Sequence, residues 1–237
     1  MTAFSRWLPA TLQTSFARKA ALGVAGLAFA GGAIAGPAMT ATNAGSPAVT
    51  PPPAAVTVQS APSAPAAPSA MDVGVDYERQ PNYYYCGPAS ARIALSANGH
   101  VLSQDDLAKK LGTTENGTDS SHDITRVLNK VIGRDDYRTV EIPGETASGE
   151  QIERLRTDVI DSIRDGDPVV ANIIGTATDT DGNQHSLPGG HYLTVVGYKD
   201  DGRTVKIADP FETRGDGTYW MSIDTLAHWI ASRGYSA

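Results

Sequence analysis

Residues 72–237 are predicted to form an α+β fold, and three observations carry this. Apolar residues recur at helical spacing through four stretches of the first half of that region. Short β-branched or alternating runs dominate the second half, and Lys199-Asp-Asp-Gly-Arg203 joins two of them as a hairpin turn. Helices and strands are therefore segregated along the chain, which argues for helices packed on an antiparallel sheet.

The first helix is expected from Cys86. Pro88 suits its first turn, where a missing N–H costs nothing. Ile93, Ala94 and Ala97 form a small apolar stripe, and Asn98-Gly99 supplies a stop. Ser103 can cap a second helix in which Asp105 and Asp106 suit the N-terminal dipole and Lys109 and Lys110 the C-terminal one; Gly112 ends it. A third helix over 119–132 places Ile124, Val127, Leu128 and Val131 on one face and stops at Gly133. A short strand is expected over 137–142. A fourth helix follows from Ser148, which can form a capping box with Gln151, and its inner face is Ile152, Leu155, Val159 and Ile163. Gly166-Asp-Pro168 breaks it, and 169–174 reads as a buried strand. Residues 175–190 are polar and glycine-rich, a loop or loose hairpin. Strands over 191–198, 204–208 and 217–221 precede a last helix over 223–232.

The first seventy residues differ sharply from the rest. They hold Arg6, Arg18 and Lys19 but no acidic residue. The run 20–36 is uncharged and rich in Ala and Gly, short for a membrane span, and follows a basic start. Residues 1–36 therefore read as a secretory signal peptide, with Ala-x-Ala cleavage sites near Ala35 and Ala44. Residues 37–71 are mostly Pro, Ala, Thr, Ser and Val, the composition of a disordered linker. The domain behind them carries 16 Lys and Arg against 26 Asp and Glu, a net charge of −10. That balance argues against nucleic acid or an anionic membrane as partner. The expected location is secreted, extracellular or cell-wall associated.

Cys86 is the only cysteine, so no internal disulfide can form. At a helix N-terminus the dipole and unpaired N–H groups favour a thiolate. A nucleophilic thiol needs a base, and the base an orienting partner. His191, in Gly-Gly-His-Tyr-Leu-Thr-Val-Val, begins one predicted strand, and Asp209, in Ala-Asp-Pro, ends the strand paired with it. Antiparallel pairing can bring the two together at an edge of the sheet. Gln80, six positions before the cysteine, can fold back to donate to an oxyanion. Taken singly, each residue has a plainer reading: a small buried hydrophobe, two surface polar groups and a solvated amide. Together they occupy the positions one mechanism requires. His100, His122, His185 and His228 lack that context; His185 lies in the loop near the site, where it could touch substrate, though a solvated loop is the plainer reading. Gly-x-Ser-x-Gly, His-Glu-x-x-His and phosphate-loop patterns are absent from the sequence.

Gln-Pro-x-x-Tyr-Tyr-Cys-Gly-Pro-Ala, Gly-Gly-His-Tyr-Leu-Thr-Val-Val-Gly-Tyr and Ala-Asp-Pro together resemble the motifs of the C39-type, papain-like cysteine peptidases. The nearest likeness is to the stand-alone secreted C39-like domains of actinobacteria. The resemblance spans about residues 72–237 and implies a papain-like α+β fold with a cleft between helices and sheet. It implies Cys86 as nucleophile, His191 as base, Asp209 as orienter and Gln80 as oxyanion donor. Members joined to a membrane transporter cleave leader peptides after Gly-Gly; these 237 residues contain no transporter segment.

The activity expected is a thiol-dependent hydrolysis of a peptide or related amide bond, with no metal or cofactor required. A peptide or protein is the expected substrate, with no membrane contact after processing; the sequence sets no oligomeric state. Two other classes fit the same residues. An acyltransferase or cross-linking enzyme would pass the acyl group to an amine. A surface binding module would use the Pro-rich segment as a tether and leave Cys86 unreactive.

Overall fold

The computed structural model describes residues 67–237, and these contain five helices and seven strands. The helices are α1 (Cys86–Ala97), α2 (Gln104–Leu111), α3 (Ser121–Ile132), α4 (Gly149–Asp165) and α5 (Ile223–Ile230). Their ends follow the local chemistry of the sequence. Ser103, Ser120, Ser148 and Ser222 each accept a backbone N–H at an N-terminus. Ser148 and Gln151 form both bonds of a capping box. Gly112, Gly133 and Gly166 close α2, α3 and α4 in the left-handed conformation, where a Cβ would be strained.

The strands are β1 (Met71–Asp72), β2 (Thr139–Glu141), β3 (Val169–Thr178), β4 (Gln184–Lys199), β5 (Thr204–Ala208), β6 (Thr218–Ser222) and β7 (Gly234–Ser236). They form one antiparallel sheet in the order β2-β7-β3-β4-β5-β6, with β1 pairing the far end of β4. Alternate side chains serve opposite faces. Val170 and Tyr192 join the apolar cluster of α1, α2 and α3, with Leu95, Leu107, Ile124 and Leu128. Val169, Ala171, Leu193 and Val195 join the other cluster, where Leu155, Val159, Ile163, Leu226 and Trp229 come from α4 and α5. The sheet is thus covered on both faces.

Three elements were open or unmarked in the sequence. Of the loop or loose hairpin expected over 175–190 the hairpin forms, since β3 and β4 continue through Gly175↔Leu187 to Thr178↔Gln184. This arm is polar, carrying a Thr176–Ser186 hydroxyl contact of 2.9 Å, so it lacks the apolar alternation that marks a strand. His191 consequently lies within β4 rather than at its start, and β4 and β5 are interior strands, not a sheet edge. Second, β7 was not anticipated. Three residues are too few to show a period, and β7 is held by pairing with both β2 and β3. Third, β1 was likewise unmarked. The chain is already packed just before it, where Tyr198 donates to the carbonyl of Pro68 (3.1 Å) and the Asp201 N–H to that of Ser69 (2.9 Å). The signal peptide expected over 1–36 and most of the linker expected over 37–71 lie outside the described residues.

Candidate active site

Cys86 is the first residue of α1. The helix has no side-chain cap at Tyr85 and no acidic residue in its first turn, so nothing local competes for its first N–H groups. Thr194 on β4 donates to the Ser90 carbonyl of α1 at 3.0 Å, which fixes the helix against the strand that carries His191. Gly87 is required by packing rather than by backbone conformation. A Cβ there would fall inside the contact distance of the Thr118 side chain, which lies against the start of the helix.

His191 is buried within β4, immediately after a register irregularity that sets Ile174 against the segment 188–190. Gly190 adopts φ +87 there, a conformation that favours glycine. His191 Nε2 lies 2.7 Å from Asp209 Oδ1, and both side chains are almost fully buried. The contact uses Nε2 as donor and leaves Nδ1 for the thiol. Asp209 follows the last residue of β5 and is itself fixed at both oxygens. Oδ1 also accepts the Phe211 N–H at 2.9 Å, and Oδ2 accepts the Tyr219 hydroxyl at 3.0 Å. Tyr77 donates to the Asp209 carbonyl at 2.9 Å.

The electrostatics follow from this geometry. Burial works to raise the Cys86 pKa, but hydrogen bonding to His191, the imidazolium charge, and the N–H groups of Tyr192 and Gly87 outweigh it and lower the thiol. Burial works to lower His191, but the Asp209 charge and hydrogen bond, with the Cys86 thiolate, raise it to about 9. Asp209 is held below its ordinary value against its own burial, first by the charge of His191. The arrangement therefore favours a thiolate–imidazolium pair.

The structure thus brings Cys86, His191 and Asp209 together. Gln80 is buried and tied to the same region, because its N–H donates to the Pro210 carbonyl at 3.0 Å. Its side-chain Nε2 donates to the Asn82 carbonyl at 2.7 Å, and its Oε1 is buried without a partner. The segment leading to it is clamped by the buried Arg92 of α1, which pairs with Asp76 at 2.8 Å and Glu78 at 2.9 Å. A cavity of about 180 Å³ opens at the thiol, walled by Cys86, Gly117, Thr118, Gly189, Gly190 and His191; Gln80 is not among its walls.

Sequence reasoning missed one residue near this site and misjudged the surroundings of another. Tyr219 reads as one more alternating strand residue, and its approach to Asp209 depends on the pairing of β5 with β6. His185, read as solvated loop, is buried in β4, where it meets Asp179 at 3.0 Å and stacks on Tyr219. Its polar neighbours concealed that burial.

A thiol at a helix N-terminus, facing an imidazole on an antiparallel sheet, is the arrangement of a thiol-dependent hydrolase of papain-like architecture. The family model described as "Peptidase_C39 like family" matches residues 73–237, and the chain belongs to that family of cysteine peptidases. Among solved structures, the chain is similar to a C39-like peptidase from Bacillus anthracis, with 15% identity and a TM-score of 0.48, covering 70% of this chain and 96% of that one. It is similar to the peptidase domain of Streptococcus ComA, a bifunctional ABC transporter of a quorum-sensing pathway, with 18% identity and a TM-score of 0.47, covering 68% and 96%. It is also similar to Xylellain, a cysteine protease from Xylella fastidiosa, with 12% identity and a TM-score of 0.46, covering 72% and 86%. A comparison with curated proteins finds no match. Among the described residues no helix is long and apolar enough to cross a membrane.

Proposed function

We propose that this chain is a secreted cysteine peptidase of the stand-alone actinobacterial type, hydrolysing a peptide or related amide bond with Cys86, His191 and Asp209 as its triad. The observation that carries the reading is the buried 2.7 Å contact between His191 and Asp209, with His191 and the thiol at a helix N-terminus walling one cavity. The Cys86 thiolate attacks the substrate carbonyl. His191 then protonates the leaving amine, and afterwards takes a proton from the water that releases the acyl group. Asp209 keeps the imidazole in the required tautomer. The Cys86 N–H, at the first position of α1, and the Gln80 carboxamide, through the hydrogen that Asn82 does not use, stabilise the oxyanion. A peptide or protein is the substrate, and the domain's charge of −10 disfavours nucleic acid and anionic membranes. Export is supported by the basic start and the apolar run at 20–36.

The test is to treat the domain, with its Pro-rich segment attached, with a peptide carrying an electrophilic warhead and to measure hydrolysis of the parent peptide. The wild type should be labelled once, at Cys86, and should release a free acid; Cys86→Ala should do neither. Label on the wild type without peptide hydrolysis, but with product formed on added amine, would move the reading to acyl transfer. Absence of labelling would favour a binding module.

A further inference from the structure

His185 is the one buried histidine that the proposed chemistry leaves without a task. It is 8% exposed and lies on the polar arm of β4. Its Nε2 is 3.0 Å from Asp179 Oδ2 and its Nδ1 is 3.7 Å from Glu212 Oε2. Asp179 is itself fixed, since its Oδ1 accepts the N–H groups of Asp181 and Asn183 at 2.9 and 2.8 Å. Glu212 is gripped by Arg214 at 2.7 Å. The imidazole is therefore held at Nε2 by an anchored carboxylate, with the Glu212 carboxylate close to its other nitrogen.

Its face is used as well. The ring stacks on Tyr219 with centroids 3.9 Å apart and planes 21° from parallel. Tyr219 lies on β6 opposite Ile207, two residues before Asp209, and its hydroxyl donates to Asp209 Oδ2 at 3.0 Å. Without that donor, Oδ2 would be a buried acceptor lacking a partner, and the carboxylate could turn about its terminal torsion. A tyrosine ring in a strand has its own torsional freedom, and the stacked imidazole removes it.

We propose that His185 and Tyr219 are positioning residues for Asp209: His185, anchored by Asp179, holds the Tyr219 ring so that its hydroxyl fixes the carboxylate facing His191. This rests on the reading of Cys86, His191 and Asp209 as one unit. It extends that unit to a buried path of side chains from the hairpin at Asp179 to the thiol.

The test is a double-mutant cycle. Tyr219→Phe should lower kcat about 10-fold with KM within about 2-fold, the pattern for an interaction that matters in the transition state. His185→Gln keeps a donor for Asp179 but removes the stacked ring. It should lower kcat about 3- to 10-fold in the native background and less than about 2-fold in Tyr219→Phe, because its effect passes through Tyr219. His185→Phe, which keeps a flat ring, should recover most of the loss; if His185→Gln does not fold, His185→Asn, which also removes the ring, takes its place in the cycle. Full kcat in Tyr219→Phe, or equal losses from His185→Gln in both backgrounds, would overturn the proposal. Alkylation of Cys86 by iodoacetamide across pH, on the same variants, separates this from failure of the peptidase reading. If the wild type cleaves no peptide yet the alkylation profile moves non-additively in the cycle, the positioning role stands without the peptidase. If the wild type cleaves peptide and neither substitution moves kcat or the profile, the peptidase stands and the positioning role falls.

Discussion

His191 Nε2 and Asp209 Oδ1 lie 2.7 Å apart in a buried pair, joining the middle of one strand to the end of its neighbour. The pair fixes the expected pH behaviour. The active ionic form needs Cys86 deprotonated and His191 protonated. The thiol is lowered and the imidazole raised to about 9. Turnover and alkylation of Cys86 should therefore rise at a pH below the ordinary thiol range, and turnover should stay flat through neutrality and fall as pH passes about 9. A turnover profile centred on unperturbed thiol and imidazole values would contradict the pairing. Stability follows the same groups. The raised imidazole contributes fully below its ordinary value of 6.5, and that contribution is lost as pH rises through about 9. The lowered Asp209 contributes above its ordinary 3.8 and loses that contribution in acid. Thermal melts of the wild type against Asp209→Asn across pH measure both limbs.

Removal of His191 should expose what burial does to the thiol alone. With the imidazole gone the desolvation of Cys86 is no longer outweighed, so in His191→Ala the onset of alkylation should move to higher pH. Stopped-flow alkylation checks this, and an unmoved onset would break the proposed pairing.

Gln80 should behave differently from the triad. Gln80→Ala is expected to lower kcat by about 10²-fold with the alkylation profile nearly unchanged, since an oxyanion donor acts on the transition state and not on the thiol. Its Nε2 already serves the Asn82 carbonyl, so a loss of melting temperature without loss of kcat would assign Gln80 to the loop instead.

Gly87→Ala should push Thr118 away from the start of α1 and cost about 1–3 kcal/mol, the usual penalty for overpacking. Because Thr118 walls the cavity at Cys86, kcat/KM should fall as well. Adding Thr118→Gly should recover part of both, measured by denaturant unfolding and steady-state kinetics; no recovery would mean that the damage arises elsewhere.

Export is checked by intact mass of the protein taken from culture medium. A product starting behind Ala35 or Ala44 is expected; one that keeps the run 20–36 and sediments with membranes would make that run an anchor.

The sequence by itself determined the helices, because their signals are local. Ser103, Ser148 and Gly112 act within one turn of their own positions, and the stripe of Ile124, Val127 and Leu128 needs only the period of a helix. It also singled out Cys86, His191 and Asp209 from the motifs around them, while the fold alone set His191 in mid-strand beside Asp209. The tertiary structure alone decided the rest. Whether 175–190 is loop or paired arm rested on partners in the opposite strand, since polar residues on both faces give no alternation. That Gly234–Ser236 is a strand followed from pairing with residues of β2 and β3 that lie more than sixty positions from their partners. The burial of His185 was set by Asp179 and Glu212 on either side and by Tyr219, a residue of another strand, because the environment of a polar side chain depends on what the fold packs against it.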